Sequence, residues 1–292
     1  MRPTIISGTK NTPEPRPDAA MTRTIDTAIH DIAVGDGHVR VETAGRGTPI
    51  VLLHGWALDR SLWRRQVEAL ADRFMLVAID RRGFGGSSAP PGLRREGSDL
   101  MILLNRLGLD RIVLVGMSQG GRVALHFAMD HPDRMLGLVL QGAPLDGFQP
   151  EPRGADRIPI SSYAALVRDG RIDRMRMLWR DHPLMRVADP AAQRAIAEML
   201  DGYDGRDLAA PALPLTAMAG DLEAIHAPAL VVTGEEDTPW RHLVGDAIAY
   251  GLPNGRRART AGGHLCNLTH ADGYNALLDG FVRWIEPARQ PQ

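Results

Sequence analysis

Residues 112–129 read Ile112-Val-Leu-Val-Gly116-Met-Ser118-Gln-Gly120-Gly121-Arg-Val-Ala-Leu-His-Phe-Ala-Met129. The run opens on apolar, mostly β-branched residues, as in a strand buried on both faces. It then turns through Gly116-x-Ser118-x-Gly120 and continues with a helical pattern. A serine in so sharp a strand-to-helix turn presents its hydroxyl outward, and the glycines let neighbouring backbone approach. The helix start leaves the Gln119 N–H without an intrahelical partner, where the free donors and the dipole favour negative charge. A nucleophile and an oxyanion donor are therefore expected from adjacent residues. Gly-x-Ser-x-Gly recurs by chance; its place between a strand and a helix gives it weight.

Working outward, Pro49 precedes the apolar run Ile50-Val-Leu-Leu-His54-Gly55, and residues 61–72 have helical spacing. Residues 74–79 form another apolar strand, closed by the loop Asp80-Arg-Arg-Gly-Phe-Gly-Gly-Ser87, and a short helix at 98–107 leads into the serine strand. Alternating segments at 24–34 and 38–44 around Gly35-Asp36-Gly37 predict a hairpin. Downstream, strands are expected at 135–140, 229–234 and 256–260, with helices at 241–250 and 271–285. This alternation predicts a doubly wound, mostly parallel α/β sheet covered on both faces. Between Asp146 and Leu222 it stops: the segment is punctuated by proline and carries helices at 162–167, 172–180 and 191–200. A helical insertion after the sixth strand predicts a cap over the sheet edge where open α/β sheets bind ligands. The expected division is a leader at 1–23, core at 24–145, cap at 146–222, core again at 223–286 and a tail at 287–292.

The 292 residues suffice for one large α/β domain with an insertion, and a net charge of −1 offers no field for nucleic acid or an anionic membrane. The single cysteine, Cys266, allows no intrachain disulfide, provides no metal cluster and suits a reducing cytoplasm. Residues 1–23 carry Pro13, Pro15 and Pro17 among polar residues and no apolar signal core, so a disordered leader is expected, with Met21 an alternative start. No stretch is apolar for long enough to span a bilayer.

Five signatures fall in order: His54-Gly-Trp56, Asp80-Arg-Arg-Gly-Phe-Gly-Gly-Ser87, Gly116-Met-Ser-Gln-Gly120, Gly234-Glu-Glu-Asp237 and Gly262-Gly-His264. On these the chain resembles the α/β-hydrolase superfamily over residues 25–286. The resemblance implies a nucleophile, acid and histidine in the order Ser118, Asp237, His264, and it implies the Trp56 backbone N–H as the second oxyanion donor beside Gln119. The chemistry asks for the same types: a serine hydroxyl attacks only when an imidazole takes its proton, and a carboxylate holds that imidazole's tautomer. Asp237 is favoured over Glu235 and Glu236, which suit capping or solvent, and His264 over His270, which stands at the entrance of the last helix. His54 is read as a loop brace and Cys266 as an apolar filler. The glycine loop lacks the Lys-Ser/Thr ending of a P-loop and the spacing of a dinucleotide fingerprint.

A serine at position 118 separates this chain from relatives that attack with a carboxylate or a cysteine. The finer resemblance is to 3-oxoadipate enol-lactonases and related carboxylesterases, carried by Asp80–Gly92, by Leu107-Gly-Leu-Asp-Arg111 and by the spacing of Trp63. The segment between Gly92 and Leu107 is about a helical turn shorter than that family's pattern, and the cap matches no lactonase pattern. The expectation is a cofactor-independent, metal-free cytoplasmic serine hydrolase acting on a small ester or lactone, with a homodimer as the partner arrangement the fold commonly shows. A C–C bond hydrolase or metal-free haloperoxidase would use the same triad, and a ligand-binding receptor on a hydrolase scaffold would bind without turnover. In the cap, Trp179, His182 and Met185 are the candidate substrate contacts; packing of cap helices explains such residues as well. Arg180 and Asp181 suit a carboxylate-bearing substrate or a surface ion pair equally.

Overall fold

The computed structural model describes residues 25–148, 154–209, 215 and 218–286. The expected leader and tail, and the remainder of the expected cap segment, lie outside the described residues. Strands β1 (Thr27–Ala33) and β2 (His38–Ala44) form the predicted hairpin, with the Val34 N–H donating to the Gly37 carbonyl. Then β3 (Thr48–Leu53), α1 (Arg64–Leu70), β4 (Phe74–Ile79), α2 (Glu96–Arg106), β5 (Ile112–Met117), α3 (Gln119–Asp130) and β6 (Met135–Gln141) alternate. Four helices follow, α4 (Ile160–Arg168), α5 (Ile172–Arg180), α6 (Pro190–Gly202) and the one-turn α7 (Arg206–Ala209), with no strand among the described residues of this insertion. The alternation resumes with β7 (Ala229–Gly234), α8 (Pro239–Gly251), β8 (Gly255–Thr260), the short α9 (Cys266–Thr269) and α10 (Ala271–Ile285).

The eight strands stand in the order β1-β2-β4-β3-β5-β6-β7-β8. β2 runs antiparallel to β1 and β4, and the remaining pairs are parallel. From β3 the chain steps to one side to form β4 and then crosses to the other side for β5, so the loops after β3 and β5 emerge together at a switch point. Period-two alternation sends side chains to opposite faces. Ile50, Leu52, Val113 and Val115 pack with α1, α10 and the inserted helices, while Val51, Leu53, Ile112 and Leu114 pack with α2, α3 and α8. That double burial explains why these strands read as continuous apolar runs.

Element bounds differ from the sequence expectation where local side chains intervene. The helix expected at 61–72 opens as a 3-10 turn over Arg60–Trp63, because the Asp59 carboxylate accepts the Ser61 N–H at 2.8 Å. Strand β5 runs two residues past Val115, since Gly116 and Met117 pair with Leu140 and Gln141. The turn that follows is crowded: a Cβ on Gly120 would stand 2.4 Å from the Leu53 carbonyl oxygen and one on Gly116 2.5 Å from the Gly120 carbonyl oxygen. Gly120→Ala is therefore expected to lose about 1–3 kcal/mol of stability, read as a lower urea midpoint at unchanged slope.

Candidate active site

The turn after β5 puts Ser118 in a left-handed conformation, φ 51° and ψ −117°. Its N–H donates to the Gln141 carbonyl at 2.8 Å and its carbonyl accepts from Arg122 at 3.1 Å. Among the described residues, Ser118 and Ala57 (φ 59°) are the non-glycine positions with positive φ. Such a conformation costs about 1–3 kcal/mol and persists only where surrounding structure over-determines it. Both positions adjoin an expected oxyanion donor, and neither the Trp56 nor the Gln119 backbone N–H donates to an acceptor among the described residues. The two loops touch, for a Cβ on Gly55 would lie 3.5 Å from the Ser118 Cβ.

His264 Nδ1 and Asp237 Oδ2 are 2.9 Å apart, and both side chains are buried. The other Asp237 oxygen accepts the Thr238 N–H at 2.8 Å. Burial pushes the Asp237 carboxyl up, but the adjacent His264 ring, the hydrogen bond to it, and the Arg241 charge together hold it below its ordinary value. Glu235, Glu236 and His270 are exposed. His270 stands at the N-cap of α10, but its ring contacts Thr269 Oγ1 and makes no capping hydrogen bond.

Gln141 and Gly142, at the end of β6, join these parts. The Gln141 amide donates to the His264 carbonyl and to Asn267 Oδ1, each at 2.9 Å. Gly142 (φ 52°) lies against the imidazole; a Cβ there would be 2.7 Å from His264 Cε1 and 3.4 Å from Asp237 Oδ2. Its carbonyl accepts from Arg241 Nη1 at 2.7 Å, and Arg241 Nε donates to buried Asp156 at 2.8 Å.

Beside the Trp56 and Ser118 loops, His54 Nδ1 donates to the Gly55 carbonyl at 2.7 Å and Nε2 accepts the Arg81 N–H at 3.0 Å. Burial, with the Arg81 charge adding to it, holds this imidazole well below its ordinary pKa, so it is a neutral brace. The Arg81 guanidinium reaches the His54 carbonyl, the Gln119 side chain and, through two 2.8 Å bonds, Glu96. Arg82 makes a parallel pair with Asp99. The loop of residues 80–87 thus turns its two arginines inward onto acids of α2. Among the described residues no three His, Cys, Asp or Glu side chains group to hold a metal ion, and no helix is long and apolar enough to cross a membrane.

The inserted helices close over Trp56. Tyr163 stacks on its indole at 6.2 Å, and Trp179 and Tyr203 meet it edge-on at 4.8 and 5.9 Å. The Trp56 Nε1–H donates to Asp207 Oδ2 at 2.7 Å, and the Tyr203 hydroxyl donates to Asp207 Oδ1 at 2.5 Å. Of the candidate substrate contacts, Trp179 lies in this aromatic group with its own indole N–H buried and without a hydrogen-bond partner among the described residues. His182 packs on Trp179 at 4.9 Å, but both ring nitrogens are engaged by the chain: Nδ1 accepts the Leu184 N–H and Nε2 donates to the Arg157 carbonyl. Met185 packs within the insertion and borders a cleft of about 540 Å³ together with Arg180, Asp181 and Gln193. Gln141, Asp156 and Asp207 carry no local signal in the sequence. The bonds that tie them to His264, Arg241 and Trp56 span 123, 85 and 151 positions, so only the folded chain brings these contacts into play.

A family model described as alpha/beta hydrolase fold matches residues 48–271. A putative non-heme chloroperoxidase from Synechocystis is 30% identical over 83% of this chain and 94% of that protein. A fluoroacetate dehalogenase from Burkholderia is 37% identical, over 37% of this chain and 38% of that protein. Among solved structures, a thermophilic esterase from Thermogutta terrifontis is 25% identical with a TM-score of 0.73, covering 90% of this chain and all (100%) of that one. The fold, the serine turn and these likenesses agree: the chain belongs to the alpha/beta hydrolase fold family.

Proposed function

We propose that this protein cleaves a carboxylic ester or lactone through an acyl-enzyme, with Ser118 as nucleophile, His264 as general base and then acid, and Asp237 holding the imidazole. The observation that carries the reading is a serine, rather than a carboxylate, in a strained turn anchored on the Gln141 carbonyl, whose neighbour Gly142 packs against the buried His264–Asp237 pair. The unpaired N–H groups of Trp56 and Gln119 suit the oxyanion that such a reaction develops.

In this scheme His264 takes the Ser118 proton as Oγ bonds to the carbonyl carbon, and the carbonyl electron pair moves onto oxygen, facing the two N–H donors. Collapse expels the alkoxide, which takes the proton from the imidazolium. Water repeats the sequence on the acyl-enzyme, releasing the acid and freeing Ser118. With a lactone, the expelled alkoxide stays on the same molecule and the product is a hydroxy acid. The Ser118 hydroxyl makes no hydrogen bond among the described residues, and such contacts commonly tighten when substrate arrives.

A second reading comes from the chloroperoxidase relative, aligned over 94% of its length. The same triad would then deliver the acyl group to peroxide instead of water.

A fluorophosphonate label with mass spectrometry, run beside p-nitrophenyl esters of increasing acyl length, tests the proposal. Labelling at Ser118 is expected, with turnover falling about 10⁴-fold or more in Ser118→Ala. A folded protein that neither labels nor turns over any ester would point to binding without catalysis. Acceleration by peroxide beyond hydrolysis would favour the second reading.

Acid stability offers an independent check. Because the folded Asp237 pKa lies below the unfolded one, its contribution is present above the unfolded value and lost as pH falls through the folded value. The stability gap between wild type and Asp237→Asn is expected to narrow on going from about pH 5 to about pH 2, followed by urea unfolding.

A further inference from the structure

Trp56 belongs to two parts of the molecule at once. Its backbone N–H lies in the loop after β3, against the Ser118 turn, while its indole is enclosed by residues of the insertion. The one hydrogen bond the indole makes among the described residues runs to Asp207 of α7, whose second oxygen is taken by Tyr203. The next residue, Ala57, is in a left-handed conformation that a relaxed alanine avoids. The Trp56 peptide is therefore held by contacts of the side chains around it rather than by local preference. Stacked rings alone leave an indole free to slide in its plane; a hydrogen bond at Nε1 fixes that coordinate.

We propose that Asp207 is a positioning residue, which sets the Trp56 oxyanion donor by holding its indole and so makes the donor site depend on the docked insertion. This rests on the serine-hydrolase reading above. The carboxylate touches no reacting atom; it acts through Trp56. Arg206, its neighbour in α7, supplies the comparison. That guanidinium ties the same helix to the core through the Gly83 and Ser87 carbonyls, without contact to Trp56.

The test is steady-state hydrolysis of one p-nitrophenyl ester by wild type, Asp207→Ala, Asp207→Asn, Arg206→Ala and Trp56→Phe, with fluorophosphonate labelling rates in parallel. Removing an oxyanion donor outright costs about 10²–10³ in turnover, and displacing one is expected to cost about 10–10². Asp207→Ala should therefore lower kcat by that factor with KM little changed, and slow labelling equally. Asp207→Asn retains an oxygen for the indole N–H and should recover most of the loss. Trp56→Phe keeps the backbone donor but not the indole N–H, so it should show a similar kcat loss, and adding Asp207→Ala to it should change little further. Trp56→Phe also keeps the question open to measurement if Asp207→Ala does not fold. An unchanged kcat in Asp207→Ala, an equal kcat loss in Arg206→Ala, or full additivity of Asp207→Ala with Trp56→Phe would each overturn the proposal. Wild type that neither labels at Ser118 nor turns over overturns the parent reading, and this one with it.

Discussion

The peptide between Gln141 and Gly142 is where three separate stretches of chain meet. The Gln141 carbonyl fixes the Ser118 N–H, its side-chain amide fixes the His264 carbonyl, and Gly142 lies against the imidazole and the Asp237 carboxylate. That meeting depends on sheet register, since β5 and β6 end level, Met117 opposite Gln141, and the Gly142 N–H carries the ladder on to Val232 of β7. A slip of one residue in a parallel sheet would turn every side chain to the other face. It would also take the Ser118 turn and the His264 loop off their common anchor. The apolar alternation that fills both cores thereby sets the alignment of the polar groups at the sheet edge.

Strain and close packing occur together at this edge. The left-handed Ser118 and Ala57 are each flanked by contacts that allow little relaxation: the serine turn by the β3 carbonyls, the Trp56 loop by the rings of the insertion. Buried ionisable groups nearby are partnered, Asp237 by the His264 ring and Arg241 by Asp156. Matching matters because an unpaired ion there would prefer to lose its charge or draw in water. Among the described residues the Trp56 and Gln119 backbone N–H groups at the centre donate to no acceptor; they carry no net charge and cost less to keep in place than an unpaired ion.

Much of this was legible in the sequence because it is written locally. Ser118 stands between an apolar run and a helical pattern, Asp237 three residues past the end of a strand, and His264 after two glycines, and each such signal lies within a few positions of its residue. The mostly parallel sheet and the helical insertion followed from alternation and its interruption, whereas the order of the strands across the sheet did not. What stayed hidden depends on distant pairing. Asp207 looks like any acid in a one-turn helix until its indole partner from the β3 loop is in place. His182 reads as a free imidazole in a cap, yet backbone groups at Leu184 and Arg157 use both of its nitrogens. Short 3-10 turns escaped for a different reason: their periodicity is too brief to register beside a helix.

The arginines behind the donor loops have a consequence for how this sequence can change over time. Arg81 and Arg82 are adjacent in the chain and answer to Glu96 and Asp99, acids one turn apart on α2. Removing one member of a buried pair costs about 3–5 kcal/mol, a large part of the roughly 5–15 kcal/mol that holds a domain together. Single changes at these four positions are therefore closed routes, while a joint replacement by well-packed apolar residues is not. Descendants of this chain would be expected to carry the loop and the first turn of α2 as one unit of inheritance, kept or exchanged together.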